Sequence, residues 1–214
     1  MTHAPVDKKD LCQNTNPHEG SLTIPPRLQA GSRPSLAEVL ARREVRVQFM
    51  QSLLENHPTV VCFKLNIPGP VKNNDYIQAL FTRGIEDIRT RLQEGDRDWE
   101  ESLPDLPTGP EYFLTSPLPA AQVKRRMVEL EEKPLGRLYD IDVFSQAGPL
   151  SREELGLPPR TCFLCDRPAP ECARSRRHSL AELLSWVDQQ MDESLRRGSI
   201  LPCANPSLIT SLKW

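Results

Sequence analysis

Residues 136–144, GRLYDIDVF, predict a β-strand that carries two aspartates. Side chains two positions apart on a strand share a face, so Asp140 and Asp142 should project side by side. Two carboxylates that close repel each other unless a cation or a proton lies between them. The alternate positions of the same strand are expected to face the core: Tyr139, Ile141 and Val143.

A hard divalent cation such as Mg²⁺ suits this pair of aspartates, because it bridges carboxylate oxygens and the phosphates of a substrate. Enzymes that transfer phosphate-containing groups use such a cation to neutralise charge on the attacking and leaving oxygens. D-x-D is a short pattern, and two solvated aspartates on an exposed strand face are the alternative. Spacing alone leaves both interpretations open.

Around this strand, predicted helices alternate with predicted strands, which is typical of a mixed α/β domain. Ser35 and Glu38 form a capping box that starts the first helix. Residues 59–67, TVVCFKLNI, have the β-branched composition of a buried strand. The other expected elements are a helix from residue 75 to 92 that closes near Gly95, a short strand at 111–115, a helix at 117–132 and a capped helix from Ser179.

The length of 214 residues suits one domain. Residues 1–34 are polar and rich in proline, asparagine and glycine, and they are expected to form a flexible arm. Residues 35–195 are the predicted domain, within which residues 160–178 form a segment rich in cysteine and arginine. Residues 196–214 are expected to be an irregular tail.

The composition argues against several classes of protein. Hydrophobic residues make up 38% and charged residues 26%, as in globular proteins with a core, and the net charge is −2. A charge so close to neutral argues against nucleic acid and anionic membranes as partners. The chain has no run of about 18 apolar residues and no signal-peptide pattern, so the protein is expected in the cytoplasm.

Residues 66–73, NIPGPVKN, connect the predicted buried strand to the next helix. Gly69 lies between two prolines, which makes a stiff turn where the backbone can approach a ligand closely. The charge of Lys72 can neutralise a phosphate, and the amides of Asn66 and Asn73 can hydrogen-bond a phosphate or a sugar. The residues alone favour the simpler interpretation, a strand-to-helix connection with an asparagine that caps the helix.

Three of the six cysteines lie close together near the C-terminal end. In a reducing compartment this distribution favours a metal site over a disulfide framework. Cys162 and Cys165 form a C-x₂-C knuckle, and Cys172 and His178 would complete a structural zinc site of three thiolates and one imidazole. The gaps are shorter than those of a common zinc finger, and reduced cysteines packed in a small loop-rich core are the alternative.

Five arginines surround these cysteines: Arg160, Arg167, Arg174, Arg176 and Arg177. The planar guanidinium group suits phosphate oxygens, so the segment is predicted to bind a polyanion. Its ligand would be the phosphates of a substrate or an acidic protein surface, and a solvated charged loop is the alternative. His178 could bind phosphate instead of a metal ion.

Four separated blocks, in the same order, resemble the citrate lyase holo-acyl-carrier-protein synthases, also called apo-citrate lyase phosphoribosyl-dephospho-CoA transferases. The blocks are residues 66–73, the helix at 75–92, residues 136–143 (GRLYDIDV), and residues 160–165 (RTCFLC) with Cys172, Arg174, Arg176 and His178. The resemblance extends over residues 35–192. Four blocks in order are more specific than any one of these motifs.

The resemblance implies a nucleotidyltransferase-like fold and the transfer of a prosthetic group. This family takes the phosphoribosyl-dephospho-CoA group from a triphosphate precursor and joins it to a serine of the apo acyl carrier protein of citrate lyase, and diphosphate leaves. Asp140 and Asp142 would be catalytic and hold Mg²⁺, with a third carboxylate left open among Glu129, Glu131 and Glu132. The implied substrate contacts are Asn66, Gly69, Lys72, Asn73, Arg160, Arg174, Arg176 and His178.

Two other functions remain as alternatives. A zinc-dependent interaction module that binds nucleic acid through its arginines would explain the cysteines, but it would leave Asp140, Asp142 and residues 66–73 without a purpose. The equivalent transferase for the carrier protein of malonate decarboxylase would use the same chemistry. The blocks at 66–73 and 160–178 favour the citrate lyase branch.

Overall fold

A five-stranded antiparallel sheet forms the centre of the fold in a computed structural model that describes residues 24–92 and 99–198. Its strands are β1 Thr59–Leu65, β2 Glu101–Ser102, β3 Tyr112–Ser116, β4 Tyr139–Ser145 and β5 Gly148–Pro149. The α-helices of these residues are α1 Leu36–Leu54, α2 Asp75–Leu92, α3 Ala120–Glu131, α4 Ala169–Ser175 and α5 Leu180–Arg196. None of them combines the length and the apolar character that crossing a bilayer requires. The predicted mixed α/β domain is confirmed.

The central strand of the sheet is β1. The strand order is β2-β3-β1-β4-β5, so β1 pairs with β3 on one edge and with β4 on the other. Its sequence, TVVCFKL, is buried over residues 59–63. A short apolar run of this kind is what a strand covered on both faces needs. The strand predicted at 59–67 is confirmed, and it ends before the proline-rich turn.

The main core lies on one face of the sheet, against α2, α3 and α5. In β1 the residues on this face are Val61 and Phe63, and the register with β4 places Val143 and Ile141 directly opposite them. Tyr139, Ile141 and Val143 are almost completely buried, as the alternation along the strand predicts.

The opposite face of the sheet is apolar at one end and charged at the other. The C-terminal half of α1 covers the apolar end, where the buried cluster consists of Met50, Val60, Cys62 and Phe113. Because side chains alternate along a strand, Lys64 comes next on this face after Cys62. The register with β4 adds Asp140 and Asp142 to the charged end.

Helix α3 covers the part of the β4 edge that β5 leaves open. Strand β5 pairs with β4 at Phe144 and Ser145. Further back along β4, the Lys124 ammonium donates to the carbonyl of Ile141 at 2.9 Å, and the N–H of Ile141 donates to the carboxylate of Glu131 at 3.1 Å. Side chains of one helix therefore take the place of a neighbouring strand and satisfy buried backbone groups.

The strand predicted over residues 136–144 begins later than expected. Leu135–Leu138 form a 3₁₀ helix, and β4 starts at Tyr139. Glycine suits this tight turn because a Cβ at Gly136 would lie 1.7 Å from the carbonyl oxygen of Leu130. Strand alternation, which would put Arg137 on the face opposite the aspartates, therefore does not apply to this residue.

Other predicted boundaries move by a few residues. The strand expected at 111–115 is displaced by one position, and the helix expected at 117–132 begins at Ala120, after two prolines that fix the preceding backbone. Helix α2 is described as far as Leu92, and Gly95, where it was expected to close, lies outside the described residues.

Residues 24–34, the end of the predicted arm, pack against the domain. Leu28 is buried in the main core. The N–H of Ser32 donates to the carbonyl of Asn73 at 2.9 Å and forms an isolated β-bridge. The rest of the predicted arm and nearly all of the predicted tail, residues 1–23 and 199–214, lie outside the described residues.

Replacing Gly84 by alanine, which adds one methyl group, tests how tightly α2 packs on the sheet. A Cβ at Gly84 would lie 2.3 Å from Cζ of Phe63, whose ring stacks on Phe81 and meets Tyr139 edge-on. We expect Gly84→Ala to lower the free energy of unfolding by about 1–3 kcal/mol, measured by urea denaturation. Glu86→Ala, an exposed change on the same helix, should alter it by less than about 0.5 kcal/mol. Equal stability of the Gly84 variant and the wild type would contradict this packing.

Candidate active site and metal site

The two aspartates project from the same face of β4, and a lysine lies between them. Their side chains are 40% exposed for Asp140 and 47% exposed for Asp142. The Lys64 ammonium donates to Oδ2 of Asp140 at 2.6 Å and to Oδ2 of Asp142 at 3.2 Å. The two carboxylates therefore converge on one point, and a positive charge already occupies it.

The register between β1 and β4 brings Lys64 to this point. Lys64 lies directly opposite Asp140, and Cys62 lies opposite Asp142. Burial raises the pKa of Asp140, but the charges of Lys64 and Arg160 and the hydrogen bond from Lys64 outweigh burial, so the pKa lies below its usual value. Burial likewise lowers the pKa of Lys64, and the two aspartates outweigh it and raise that pKa. Each of these two groups therefore favours the charged form of the other.

A buried carboxylate, Glu111, comes directly before β3, the strand on the other side of β1. The register of β1 and β3 ends at the pair Phe63 and Tyr112, and one further step along it would bring Glu111 to the position opposite Lys64. Arg42 donates to Oε2 of Glu111 through Nε at 3.0 Å and through Nη2 at 2.7 Å, and Arg46 donates to Oε1 at 2.6 Å. Helix α1 therefore engages both oxygens of Glu111, while Lys64 is paired with the aspartates.

The three glutamates considered as a third metal ligand have other partners in the structure. Glu131 accepts the β4 backbone N–H described above and a bond from Arg152 at 2.7 Å. Glu129 pairs with Arg91, and Glu132 lies 3.5 Å from Arg152. The geometry therefore does not add any of them to the aspartate pair.

The aspartate pair fits a hard divalent cation by its chemistry and its position. Both residues offer carboxylate oxygens that already converge on one cation, and their exposure leaves room for the water ligands that Mg²⁺ retains. A metal ion bound to the same oxygens would have to displace the ammonium of Lys64, because bonds from Mg²⁺ to oxygen are about 2.0–2.1 Å long. The donor set thus suits either the lysine or a metal ion.

A cavity of about 570 Å³ opens where β1 ends and β4 begins. Asn66 follows β1 and lines this cavity, and its N–H donates to the carbonyl of Leu138 at 2.8 Å, which ties the two strand ends together. The apolar part of the lining comes from the proline turn, the cysteine segment, α4 and α5: Pro68, Phe163, Ala169, Ala173, Leu180 and Leu183.

The basic part of the lining consists of Arg137, Arg160 and Arg176. Arg137 donates to two backbone carbonyls of the cysteine segment, at 2.6 and 3.1 Å. Burial and the nearby positive charges of Arg160 and Arg152 lower the pKa of Arg137. Guanidinium groups crowded in this way favour an anionic ligand, which would relieve their mutual repulsion.

Arg160 connects the cavity to the aspartate pair. Its Nη2 donates to the carbonyl oxygens of Arg137 and Tyr139, at 3.1 and 2.7 Å, which fixes the guanidinium at the start of β4. Its Nη1 lies 3.7 Å from Oδ1 of Asp140 and 3.8 Å from Oε1 of Glu131. An anionic group bound to Arg160 from the cavity side is therefore next to Asp140.

Half of the predicted substrate contacts line this cavity: Asn66, Arg160, Arg176 and His178. Gly69 lies in the proline turn with a φ of 83° and packs against Leu180 at the start of α5. The other three arginines of the cysteine segment are exposed and lie outside the lining: Arg167, Arg174 and Arg177.

The remaining predicted contacts belong to the connection between β1 and α2. Lys72 donates to the carbonyl of Ile67 at 2.8 Å, inside its own loop. Asn73 donates to Asp105 at 2.7 Å and so holds a neighbouring loop. The side chain of Asn74 accepts an N–H of the first turn of α2 at 2.9 Å, so the predicted helix cap is confirmed at this position.

The four predicted zinc ligands come together beside the cavity. One donor atom from each of Cys162, Cys165, Cys172 and His178 lies within 4.8 Å of all the others. The Sγ atoms of Cys165 and Cys172 are 3.5 Å apart, and Nε2 of His178 lies 3.4 Å from Sγ of Cys165. Two thiolates on a tetrahedral zinc ion, with bonds of about 2.3 Å, lie about 3.8 Å apart. The cluster therefore has the dimensions of a tetrahedral metal site.

A tight turn and one short helix build this cluster. The N–H of Cys162 donates to the carbonyl of Arg167 at 2.8 Å, which closes the turn of the C-x₂-C knuckle. Cys172 lies in α4. The residue after this helix, Arg176, has a left-handed φ of 47°, which turns the chain back so that His178 faces the thiols.

The surroundings of the Cys165 thiol favour its ionised form. Burial raises its pKa, but the backbone N–H of Arg167 and the side chains of His178 and Cys172 outweigh burial and lower the pKa to about 7. The thiolate is the form that binds metals. The cluster could therefore hold a metal ion, and thiolates combined with an imidazole suit zinc.

Comparisons with known proteins identify the family of this chain. The model of the family described as apo-citrate lyase phosphoribosyl-dephospho-CoA transferase matches residues 34–194. The chain is 34% identical to the protein of that name from Escherichia coli O7:K1 over 172 residues, which are 78% of this chain and 94% of that protein. The chain belongs to this transferase family.

A longer relative contains the same region. The chain is 35% identical over 188 residues to Protein CitXG from Leuconostoc mesenteroides subsp. cremoris. The match includes 86% of this chain but 40% of that protein. The chain therefore corresponds to less than half of the Leuconostoc protein and to nearly all of the Escherichia coli transferase.

Sequence reasoning did not assign three charged groups to this candidate site: Lys64, Arg137 and the Glu111 cluster. Lys64 is a single charge in an otherwise apolar strand, and that exception is a signal that could have found it. The 3₁₀ helix carries Arg137 to the cavity, where strand alternation does not place it. Glu111 gives no local signal, because its partners Arg42 and Arg46 are 69 and 65 residues away in sequence.

The lysine bridge predicts how Asp140 titrates. Lys64→Met removes the charge that holds this pKa down, so we expect the pKa to rise, measured by ¹³C NMR of the carboxyl carbon. In the wild type the lowered pKa stabilises the fold above the unfolded value of about 3.9. The wild type loses this contribution as the pH falls through the pKa of Asp140 in the folded protein. The variant lacks most of the contribution, so its free energy of unfolding should decrease less over the same pH range. Lys72→Met, which removes a lysine bound to a carbonyl, should leave Asp140 unchanged. An unshifted Asp140 in Lys64→Met would contradict the bridge.

Proposed function

We propose that this family member attaches the 2'-(5''-phosphoribosyl)-3'-dephospho-CoA group to a serine of the apo acyl carrier protein of citrate lyase. The substrate is the triphosphate precursor of this group, and the second product is diphosphate. The family match over residues 34–194 supports this reaction. It does not favour the alternatives, which are a zinc-dependent interaction module, a nucleic-acid-binding module and a transferase for malonate decarboxylase.

The position of Arg160 carries the proposal. Arg160 lines the cavity, and its Nη1 lies 3.7 Å from Asp140. The precursor has a polyanionic triphosphate and a long remainder that includes an uncharged adenine and pantetheine chain, and the cavity has a basic part and an apolar part. A volume of about 570 Å³ is in the usual range for small-molecule sites. We propose that the triphosphate binds at Arg160, facing the aspartates, and that the remainder lies against the apolar wall.

The reaction exchanges one bond to phosphorus for another. The serine oxygen of the carrier protein attacks the phosphorus nearest the ribose, and the bond from that phosphorus to the bridging oxygen of diphosphate breaks. A phosphodiester forms, diphosphate leaves with the bonding electron pair, and one carboxylate of the aspartate pair accepts the serine proton. Because the carrier supplies the nucleophile, the enzyme contributes positioning and charge neutralisation.

We propose that Asp140 and Asp142 hold Mg²⁺ during this reaction. The ion, when bound, supplies positive charge to the triphosphate oxygens. Arg160 and Arg137 add fixed positive charge at the end of the cavity next to the pair. Paired aspartates on a strand of an antiparallel sheet also support a nucleotidyltransferase-like fold for the domain at residues 35–195.

We propose that the cluster of three cysteines and His178 holds a structural zinc ion. Four protein ligands leave no coordination position open for a substrate, which is typical of structural sites. Cys162, Cys172 and His178 also line the cavity, so a metal ion would hold its wall in place. We place the reaction in the cytoplasm, where reducing conditions keep these cysteines as free thiols.

Weighing the carrier protein tests the transfer. We expect a mixture of the enzyme, apo carrier protein, triphosphate precursor and Mg²⁺ to give a carrier whose mass has increased by one prosthetic group. Asp140→Asn and Asp142→Asn should each lower the rate by about 10²-fold or more, because each removes a charge that acts in the transition state. Asp75→Asn, an exposed change at the start of α2, is the matched control and should retain the rate.

Two results would contradict the proposed reaction. A wild-type enzyme that leaves the carrier mass unchanged would refute the transfer itself. Wild-type rates in both aspartate variants would refute the catalytic role of the pair while leaving the transfer intact.

Metal analysis tests the cysteine cluster. We expect protein purified without a metal-binding tag to contain about one zinc ion per chain, and Cys172→Ser to lose it. Cys62→Ala is the control, because Cys62 is a buried thiol on the sheet outside the cluster. A metal content of zero in the wild type, or an unchanged content in Cys172→Ser, would contradict a zinc site.

A further inference from the structure

The ammonium of Lys64 occupies the place where the proposed reaction needs a metal ion. Its Nζ lies 2.6 Å from Oδ2 of Asp140 and 3.2 Å from Oδ2 of Asp142. A metal ion bound to the same oxygens at about 2.0–2.1 Å would leave no room for the ammonium. Binding of lysine and metal at this point is therefore mutually exclusive.

Lys64 gives the free enzyme a stable aspartate pair. Two carboxylates on adjacent positions of one strand face repel each other when both are ionised. The ammonium offsets this repulsion and holds both oxygens toward one point, so the pair is already arranged for a cation. The lysine is anchored there by the register, which sets it directly opposite Asp140.

The buried carboxylate of Glu111 is already occupied and is not open to a displaced ammonium. It accepts three hydrogen bonds, from Arg42 and Arg46. The flexible four-carbon side chain of a lysine can turn its charge to a new acceptor nearby. A polyphosphate bound at the aspartates and Arg160 would bring new acceptor oxygens to this point.

We propose that Lys64 is a charge-exchange residue, which neutralises Asp140 and Asp142 in the free enzyme and moves to the substrate's polyphosphate when a divalent cation replaces it. The inference rests on the proposed function, because it takes a polyphosphate as the anion. Lys64 thereby couples the two binding events: the cation releases the ammonium, and the released ammonium strengthens binding of the anion.

Binding of Mn²⁺ alone tests the first half of this exchange, without substrate or turnover. We expect Lys64→Met and Lys64→Gln to bind Mn²⁺ about tenfold more tightly than the wild type, measured by electron paramagnetic resonance, because the competing charge is gone; tenfold corresponds to about 1.4 kcal/mol. Lys133→Met, at an exposed lysine outside the cavity lining, controls for the loss of one positive charge and should bind as the wild type does. Asp140→Asn should lose most of the binding.

Inorganic triphosphate tests the second half. In the presence of saturating Mn²⁺, we expect wild-type protein to bind triphosphate about tenfold more tightly than Lys64→Met, measured by calorimetry. Lys64→Arg keeps the charge and should retain most of the triphosphate affinity. Circular dichroism of each variant confirms that it is folded, and Lys64→Gln replaces Lys64→Met if the latter is not.

The results separate this inference from the proposed function. Equal Mn²⁺ affinity in the wild type and both neutral variants would overturn the competition, and equal triphosphate affinity would overturn the transfer of charge to the anion. Either result leaves the proposed function standing if the wild type still modifies the carrier protein. Failure to modify the carrier, with the exchange intact, would refute the proposed function instead.

Discussion

The antiparallel register between β1 and β4 is the constraint on which the site depends. This register buries Phe63 opposite Ile141 and Val61 opposite Val143, and each such side chain contributes about 1.5–3 kcal/mol when fully buried. A slip of one residue would turn every one of them to the wrong face. The same register sets Lys64 opposite Asp140, so the energy that specifies the core also specifies the charge cluster on the other face.

Two side-chain networks hold the strands of the site in place, one from each flanking helix. On one flank, α1 binds the buried Glu111 through Arg42 and Arg46. On the other flank, α3 binds the backbone of β4 through Lys124 and Glu131. Charged groups this deeply buried persist only when they are paired or hydrogen-bonded, because an unsatisfied one costs several kcal/mol. Both flanks are therefore fixed, whereas the aspartates that Lys64 bridges are partly exposed to solvent.

The features that could be predicted from the sequence are those that depend on residues close together in the chain. Alternation in residues 139–143 predicts the buried face, and the spacing from Cys162 to His178 predicts a cluster that the structure brings together. Lys64 stands out locally as a charge in an apolar strand, but its pairing with Asp140 could not be predicted, because the two residues are 76 positions apart and meet only through the strand order. The cavity could not be predicted for the same reason, since its lining combines the end of β1 with α4 and α5, which are far apart in the sequence.

The walls of the cavity have different physical origins. The wall formed by the ends of β1 and β4 is part of the sheet, and the pairing of these strands holds it in place. The facing wall rests on α4, a helix of seven residues, which is too short to be stable by its own hydrogen bonds. Its support comes from the cysteine cluster and from Phe163, which stacks on Trp186 of α5 at 4.6 Å. Arg160 bonds to the carbonyl of Tyr139 and lies in the cysteine segment, so it joins the two walls. A change in the cysteine cluster would therefore reach Asp140 through Arg160, although the cluster and the aspartate pair share no ligand.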